Sequence, residues 1–297
     1  MNQLFRKITA LAAFLFLAPA AVAQMNFDAV QIEAIPVSDN IYMLTGAGGN
    51  MGLIVGEDGA FLIDDQFAPL TDKITAAIAE LTDQSIRFVI NTHYHGDHTG
   101  GNENLGKAGA LIVAHDNVYK RMSAEEFMED AETPKEALPV VTFTEDVTFH
   151  INDEHVHGFH IGDAHTDGDT IIHFKNANVV HMGDIYFSGL FPYIDVDSGG
   201  SIDGIITAVN RVLALSNEDT KIIPGHGPLS SMDDLKGYRS FLTKLRSKVS
   251  QLISEGKTLE EIQEANPTEG YEEWNWEFIS SNRIVESVYR DLSGSVN

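Results

Sequence analysis

Between Asn91 and Gly101 the chain reads Asn-Thr-His-Tyr-His-Gly-Asp-His-Thr-Gly-Gly, three imidazoles and a carboxylate followed by paired glycines. The preceding segment, Ser85-Ile-Arg-Phe-Val-Ile90, is apolar and β-branched, as a buried strand requires. The cluster therefore sits where a strand ends, and Gly100-Gly101 let the backbone turn sharply there. Side chains of extended backbone alternate with period two, so His93 and His95 point the same way and can chelate one ion together. Asp97 and His98 face a neighbouring position. Imidazole and carboxylate are ligands that zinc accepts. The chain has no cysteine, which excludes thiolate ligands and argues against a closed structural site.

The rest of the chain repeats one rhythm. Ile41–Leu44, Gly52–Val55 and Ala60–Ile63 read as short strands, the last two flanking a Gly56-Glu-Asp-Gly59 hairpin turn. Pro69–Leu81 reads as an amphipathic helix with Leu70, Ile74, Ala77, Ile78 and Leu81 on one face. Strands follow at Leu111–Ala114, and again at Val140–Phe143, Val147–Ile151, His155–Ile161, Thr170–Phe174 and Asn178–His181. Asn117–Leu138 is charged, with Val118, Met122 and Phe127 at helical spacing, and reads as a surface helix and loop. Ile202–Leu215 is helical in pattern, Lys221–Ile223 is a strand, and Met232–Ile262 and Trp274–Leu292 are helical. The glycines at 46–49 lack the Lys-Ser/Thr of a phosphate-binding loop and precede a strand, so they are a turn-rich loop only. The pattern predicts an α/β (α+β) chain with two similar halves, roughly 30–138 and 139–230, packed sheet against sheet with helices outside. A helical segment, 231–297, completes it.

The first residues form a separate unit. Arg6 and Lys7 precede an apolar run from Ile8 to Ala18, and Ala21-Val-Ala23 is a cleavage signature. The expectation is a signal peptide, residues 1–23, cut after Ala23, and a periplasmic or secreted domain over 24–297. The alternative is an uncleaved anchor, for which the apolar run is short. No later stretch is long and apolar enough to span a bilayer. The net charge of −25 makes nucleic acid and anionic membrane poor partners and leaves a small-molecule substrate as the expectation.

Three later positions complete the cluster, each after a strand and beside a glycine or small residue: His165 in Gly-Asp-Ala-His165-Thr-Asp-Gly-Asp, Asp184 in Met-Gly-Asp184, and His226 in Pro-Gly-His226-Gly. With HxHxDH ahead of them, in this order, the chain resembles the metallo-β-lactamase superfamily over about Ile41 to Gly227. That resemblance implies a four-layer αββα sandwich with two zinc ions per chain in a cleft at one edge. By motif, His93, His95 and His165 hold one ion, Asp97, His98 and His226 the other, and Asp184 bridges them. It also places Asp64 where a carboxylate hydrogen-bonds a metal-bearing loop, orienting ligand imidazoles. Water activated between two such ions attacks a carbonyl or phosphoryl centre at neutral pH, with Asp97 orienting it.

The chain departs from the cysteine-bearing β-lactamases. Asp184 stands where they carry a thiolate, and Phe187 where they carry a lysine for the antibiotic's carboxylate. His98 with Asp184 is similar to the glyoxalase II and general hydrolase branch. The expected function is an exported dizinc hydrolase of ester, thioester, lactone or amide bonds, β-lactams included. The alternatives are a metal-dependent phosphodiesterase and a non-catalytic metal-binding protein. His155, His157 and His160 read as a strand's polar face, His115, His150, His173 and His181 as structural or solvated, and Trp274 and Trp276 as packing of the tail.

Overall fold

A computed structural model describes residues 25–124 and 132–294. The expected leader with its cleavage point, and Phe127 of the charged segment, lie outside the described residues.

The first sheet has seven strands in chain order: β1 (Glu33–Ser38), β2 (Ile41–Thr45), β3 (Met51–Ile54), β4 (Ala60–Ile63), β5 (Ile86–Ile90), β6 (Leu111–His115) and β7 (Val141–Phe143). The second, five-stranded, is ordered β12-β11-β10-β9-β8, from β8 (Asp146–Ile151), β9 (Glu154–His160), β10 (Thr170–Phe174), β11 (Val179–His181) and β12 (Lys221–Ile223). The sheet changes between β7 and β8, a few residues beyond the expected boundary at 138, because Val113–His115 pair parallel with Val141–Phe143. The described helices are α1 (Thr71–Ala79), α2 (Gly96–Thr99), α3 (Asn102–Lys107), α4 (Asp116–Met122), α5 (Ile202–Leu215), α6 (Met232–Ser254), α7 (Leu259–Glu264) and α8 (Ser281–Ser293).

Period-two alternation sorts the strand residues into layers. Phe61, Ile63 and Ile90 of the first sheet meet Val156, Ile172, Phe174 and Ile223 of the second in a central core. Phe61 and Phe149 meet edge to face at 4.7 Å across it, worth about 0.5–1.5 kcal/mol beyond area burial. The intervening residues point outward. Leu62 and Val89 pack with Leu70, Ile74 and Ile78 around α1. Ile171, Val180 and Ile222 pack under α5, α6 and α8. The three cores separate four layers, helix–sheet–sheet–helix, the αββα sandwich.

Two elements differ from the sequence pattern. β1 is an edge strand whose Pro36 breaks the strand signal. An edge tolerates the missing donor, and the register shifts between Pro36 and Ser38. The tail is less helical than its spacing suggests: Met232–Ile262 divides at Gly256 (φ 78°), and after Trp274 helix resumes only at Ser281.

The topology gathers the sheet ends. β4, β5 and β6 run parallel, as do β11 and β12, while β10 is antiparallel to β11. The loops after β5, β11 and β12 and the loop before β10 thus open at one edge of the sandwich.

Candidate metal centre

That edge brings together all seven side chains expected to bind metal. His93, His95, His165 and Asp184 form one group, and Asp97, His98 and His226 a second. His93 and His95 lie in the loop after β5, and Asp97 and His98 on the single turn α2. His165 precedes β10, Asp184 follows β11 and His226 follows β12.

His95 presents Nδ1, 3.1 Å from His93 Nε2 and 2.9 Å from His165 Nε2. Asp184 lies between the groups with one oxygen to each. Its Oδ2 is 3.9 Å from His93 Nε2 and 3.7 Å from His165 Nε2. Its Oδ1 is 3.1 Å from His98 Nε2 and 3.4 Å from His226 Nε2. Asp97 Oδ2 faces His226 Nε2 at 3.3 Å and His98 Nε2 at 3.6 Å.

In His98, His165 and His95 the other ring nitrogen is fixed by a different partner. His98 Nδ1 donates to Asp64 Oδ2 at 2.8 Å, and Asp64 also accepts from Thr92 N and Thr92 Oγ1. Asp64 does this from a left-handed conformation (φ 60°), a strained backbone that turns its carboxylate into the metal loop. His165 Nδ1 donates to the Tyr193 carbonyl at 2.8 Å. His95 Nε2 donates to Asp195 Oδ2 at 3.0 Å, and Asp195 also accepts from Tyr94 Oη. Asp195 has no counterpart in the sequence reading. Asp195-x-x-Ser198 is the signature of an ordinary cap, which it also forms, so its sequence carries no separate sign of the contact with His95.

Charge separates the two groups. Burial pushes His93 well below its usual range, with the charges of His98 and His165 adding to it. Burial likewise lowers His165 to about 4. Both imidazoles are therefore neutral at pH 7 and able to donate lone pairs. In the second group burial also works against charge, but Asp184 overrides it and raises His226 to about 9. His98 rises too: burial opposes it, and Asp184, Asp97 and Asp64 outweigh burial. Burial acts upward on Asp184, yet His226 and His98 hold it well below the carboxylate range. The carboxylates thus demand positive charge at this point, and protons on His98 and His226 supply it when no metal does.

The residues fit metal on another count. His98 Nε2 and Asp184 Oδ1 are buried 3.1 Å apart, and neither has a partner in hydrogen-bond geometry. A cation beside both satisfies them. Gly225 makes room for this arrangement, since a Cβ there would lie 2.1 Å from Asp184 Oδ1.

The remaining histidines lie elsewhere. His160 stacks on His115 at 3.7 Å, and His150 meets His155 edge to face on the β8–β9 hairpin. His181 binds the Asn50 carbonyl and holds the glycine-rich loop in place. Trp274 packs with Phe241 and Tyr271 in the tail. Trp276 does more than pack the tail: its ring lies 5.6 Å from that of His226 and 5.9 Å from Phe187, which itself stacks on His226.

If Asp195 orients His95, Asp195→Asn weakens the first ion about 10–100-fold and leaves the second in place. Competition with a chromophoric chelator reads the two affinities separately. Equal weakening of both ions contradicts that role.

Comparisons with known proteins agree with this geometry. A family model described as metallo-beta-lactamase superfamily matches residues 44–232. The chain is 26% identical over 164 residues to hydroxyacylglutathione hydrolase of Polaromonas sp., covering 53% of this chain and 55% of that protein. It is 28% identical over 153 residues to the protein of the same name from Pelagibacter ubique, covering 50% of this chain and 56% of that one. The chain thus spans about half the length of these curated relatives. Hydroxyacylglutathione hydrolase GloC of Haemophilus influenzae is 26% identical over 220 residues, 72% of this chain and 98% of that protein. Among solved structures, a metallo-beta-lactamase from Pontibacter korlensis superposes with a TM-score of 0.60 at 20% identity, covering 72% of this chain and 99% of that one. At that identity the likeness bears on the fold alone. Because the family match takes in well over half of the sequence and contains every one of the clustered His and Asp side chains, the chain belongs to the metallo-beta-lactamase superfamily.

Proposed function

We propose that the chain is an exported dinuclear zinc hydrolase that cleaves an ester, thioester, lactone or amide bond in a small molecule. The observation that carries this reading is Asp184, one carboxylate with an oxygen turned to each of two ligand groups. Two ions bound there supply a water activated at neutral pH and a polarised scissile carbonyl. The chain's own residues do the rest. Neutral His93 and His165, with His95 locked by Asp195, hold one position rigidly. Burial acts upward on Asp97, but His98 and His226 hold its carboxyl below the usual range, so Oδ2 stays ionised and orients the attacking water by accepting its hydrogen bond. The relatives' name, hydroxyacylglutathione hydrolase, supports an acyl substrate over a phosphodiester. Export rests on the leader-like first residues.

The test is metal analysis with a substrate panel: nitrocefin, a homoserine lactone, a glutathione thioester and bis-p-nitrophenyl phosphate, each with and without chelator. The expected result is about two ions per chain and chelator-sensitive turnover of at least one acyl substrate. Fewer than one ion after zinc reconstitution, or turnover of the phosphodiester alone, overturns the reading.

A further inference from the structure

Solvent reaches the ligand cluster from one side. Of its imidazoles, the His95 and His226 side chains are 13% exposed, while those of His93, His98 and His165 are closed off. Both exposed rings are bordered by aromatic residues. Tyr193 lies 5.8 Å from His95, and Trp276 lies 5.6 Å from His226. The two ends are joined through the tail. Trp276 meets Phe278 edge to face at 5.2 Å, and Arg283 donates Nη1 to the Phe278 carbonyl while lying over the Tyr193 ring. Trp276, Phe278 and Arg283 thus form a wall that runs from His226 to Tyr193.

The wall is rigid and apolar at its centre. Trp276 donates Nε1 to the Phe191 carbonyl and its backbone N–H to Ile279, so the half-buried ring is held in one orientation. Its polar atom is directed into the protein, which leaves a flat hydrocarbon face beside His226. Phe187, itself buried, stacks on His226 at 5.1 Å with an 11° interplanar angle. Trp276, Phe278 and Arg283 lie beyond residue 232, where the family match ends.

We propose that Trp276 determines specificity and selects substrates carrying a flat, apolar or ring-bearing group beside the scissile bond, on the His226 side of the centre. The proposal rests on the metal-centre reading above. A fixed aromatic face offers stacking and apolar burial without ordering cost, so the selected group binds by contact area and not by charge. The selectivity enters chiefly through KM, because the ring contacts a part of the substrate that does not react.

A binding experiment on the zinc-loaded protein tests this without requiring turnover. A thiol anchors on zinc through its sulfur, so benzyl mercaptan and ethanethiol compare a ring with a short chain at the same anchor. Calorimetry should show benzyl mercaptan favoured by about ten-fold or more. In Trp276→Ala that preference should shrink to within about two-fold, while ethanethiol affinity, which reports an intact centre, stays within about three-fold. Trp276→Phe keeps a ring and should retain most of the preference. Intrinsic differences between the thiols cancel when each is compared across the variants. No binding of either thiol overturns the metal-centre reading and this inference with it. Equal affinities in the unmodified protein, or a ring preference that survives in Trp276→Ala, overturns this inference alone.

Discussion

Asp184→Ala is expected to produce a folded protein that no longer holds a pair of ions and no longer turns over substrate. Each oxygen of this carboxylate faces a different ligand group, so one substitution strips a donor from both. Losing an outer hydrogen-bond partner already costs about 10–100-fold in metal affinity, and losing a shared ligand costs more. Removal also takes away the largest of the charges that raise His98 and His226, so their protons are less stabilised there. Turnover should fall on the order of 10³-fold or more at saturating zinc. Metal analysis after dialysis, read beside the far-ultraviolet circular dichroism spectrum, checks the claim. Two ions retained in a folded Asp184→Ala protein would remove Asp184 from its bridging place.

Asp97→Ala should separate catalysis from metal capture. Asp97 sits on the short helix α2, where alanine is well tolerated, and faces His98 and His226 only through Oδ2. The first group, His93, His95 and His165 with Asp184, does not depend on it. The expected protein is folded, keeps its first ion, binds the second more weakly and loses about 10²–10³-fold in kcat with zinc in excess. Unchanged kcat under those conditions would take Asp97 out of the mechanism. Asp97→Asn, which keeps shape and one acceptor oxygen but abolishes the charge, should be nearly as slow.

How much of this was legible depends on the distance over which each residue acts. His93 to His98 announce themselves because a strand, a short polar run and two glycines are adjacent in sequence. His165, Asp184 and His226 are separated from them by many residues, yet each carries the same local mark, a strand end beside a small residue. The layers were legible too, since strand alternation needs no knowledge of partners. Asp195 and Trp276 carry no such mark. Asp195 meets His95 across 100 residues, and its own surroundings look like an ordinary turn. Trp276 stands in a tail whose apolar spacing resembles a helix, and only the non-helical stretch before Ser281 brings its ring to His226. β1 was hidden for the opposite reason: its proline is a local signal against a strand that an outer position makes harmless.

The division of the ligands between the sheets has a mechanical consequence. Residues 93–98 hang from the end of the first sheet, and 165, 184 and 226 from the second. An ion held by His95 and His165 would join points 70 residues apart, and because it binds the folded chain in preference to the unfolded one, at about 100 times its Kd it would stabilise the fold by about 2.7 kcal/mol. In a chain without cysteine, metal bound as proposed would act as a clasp across the sandwich. On that reading the side chains proposed to perform the chemistry would also keep the two halves shut, and loss of metal would loosen the architecture along the seam where substrate would arrive.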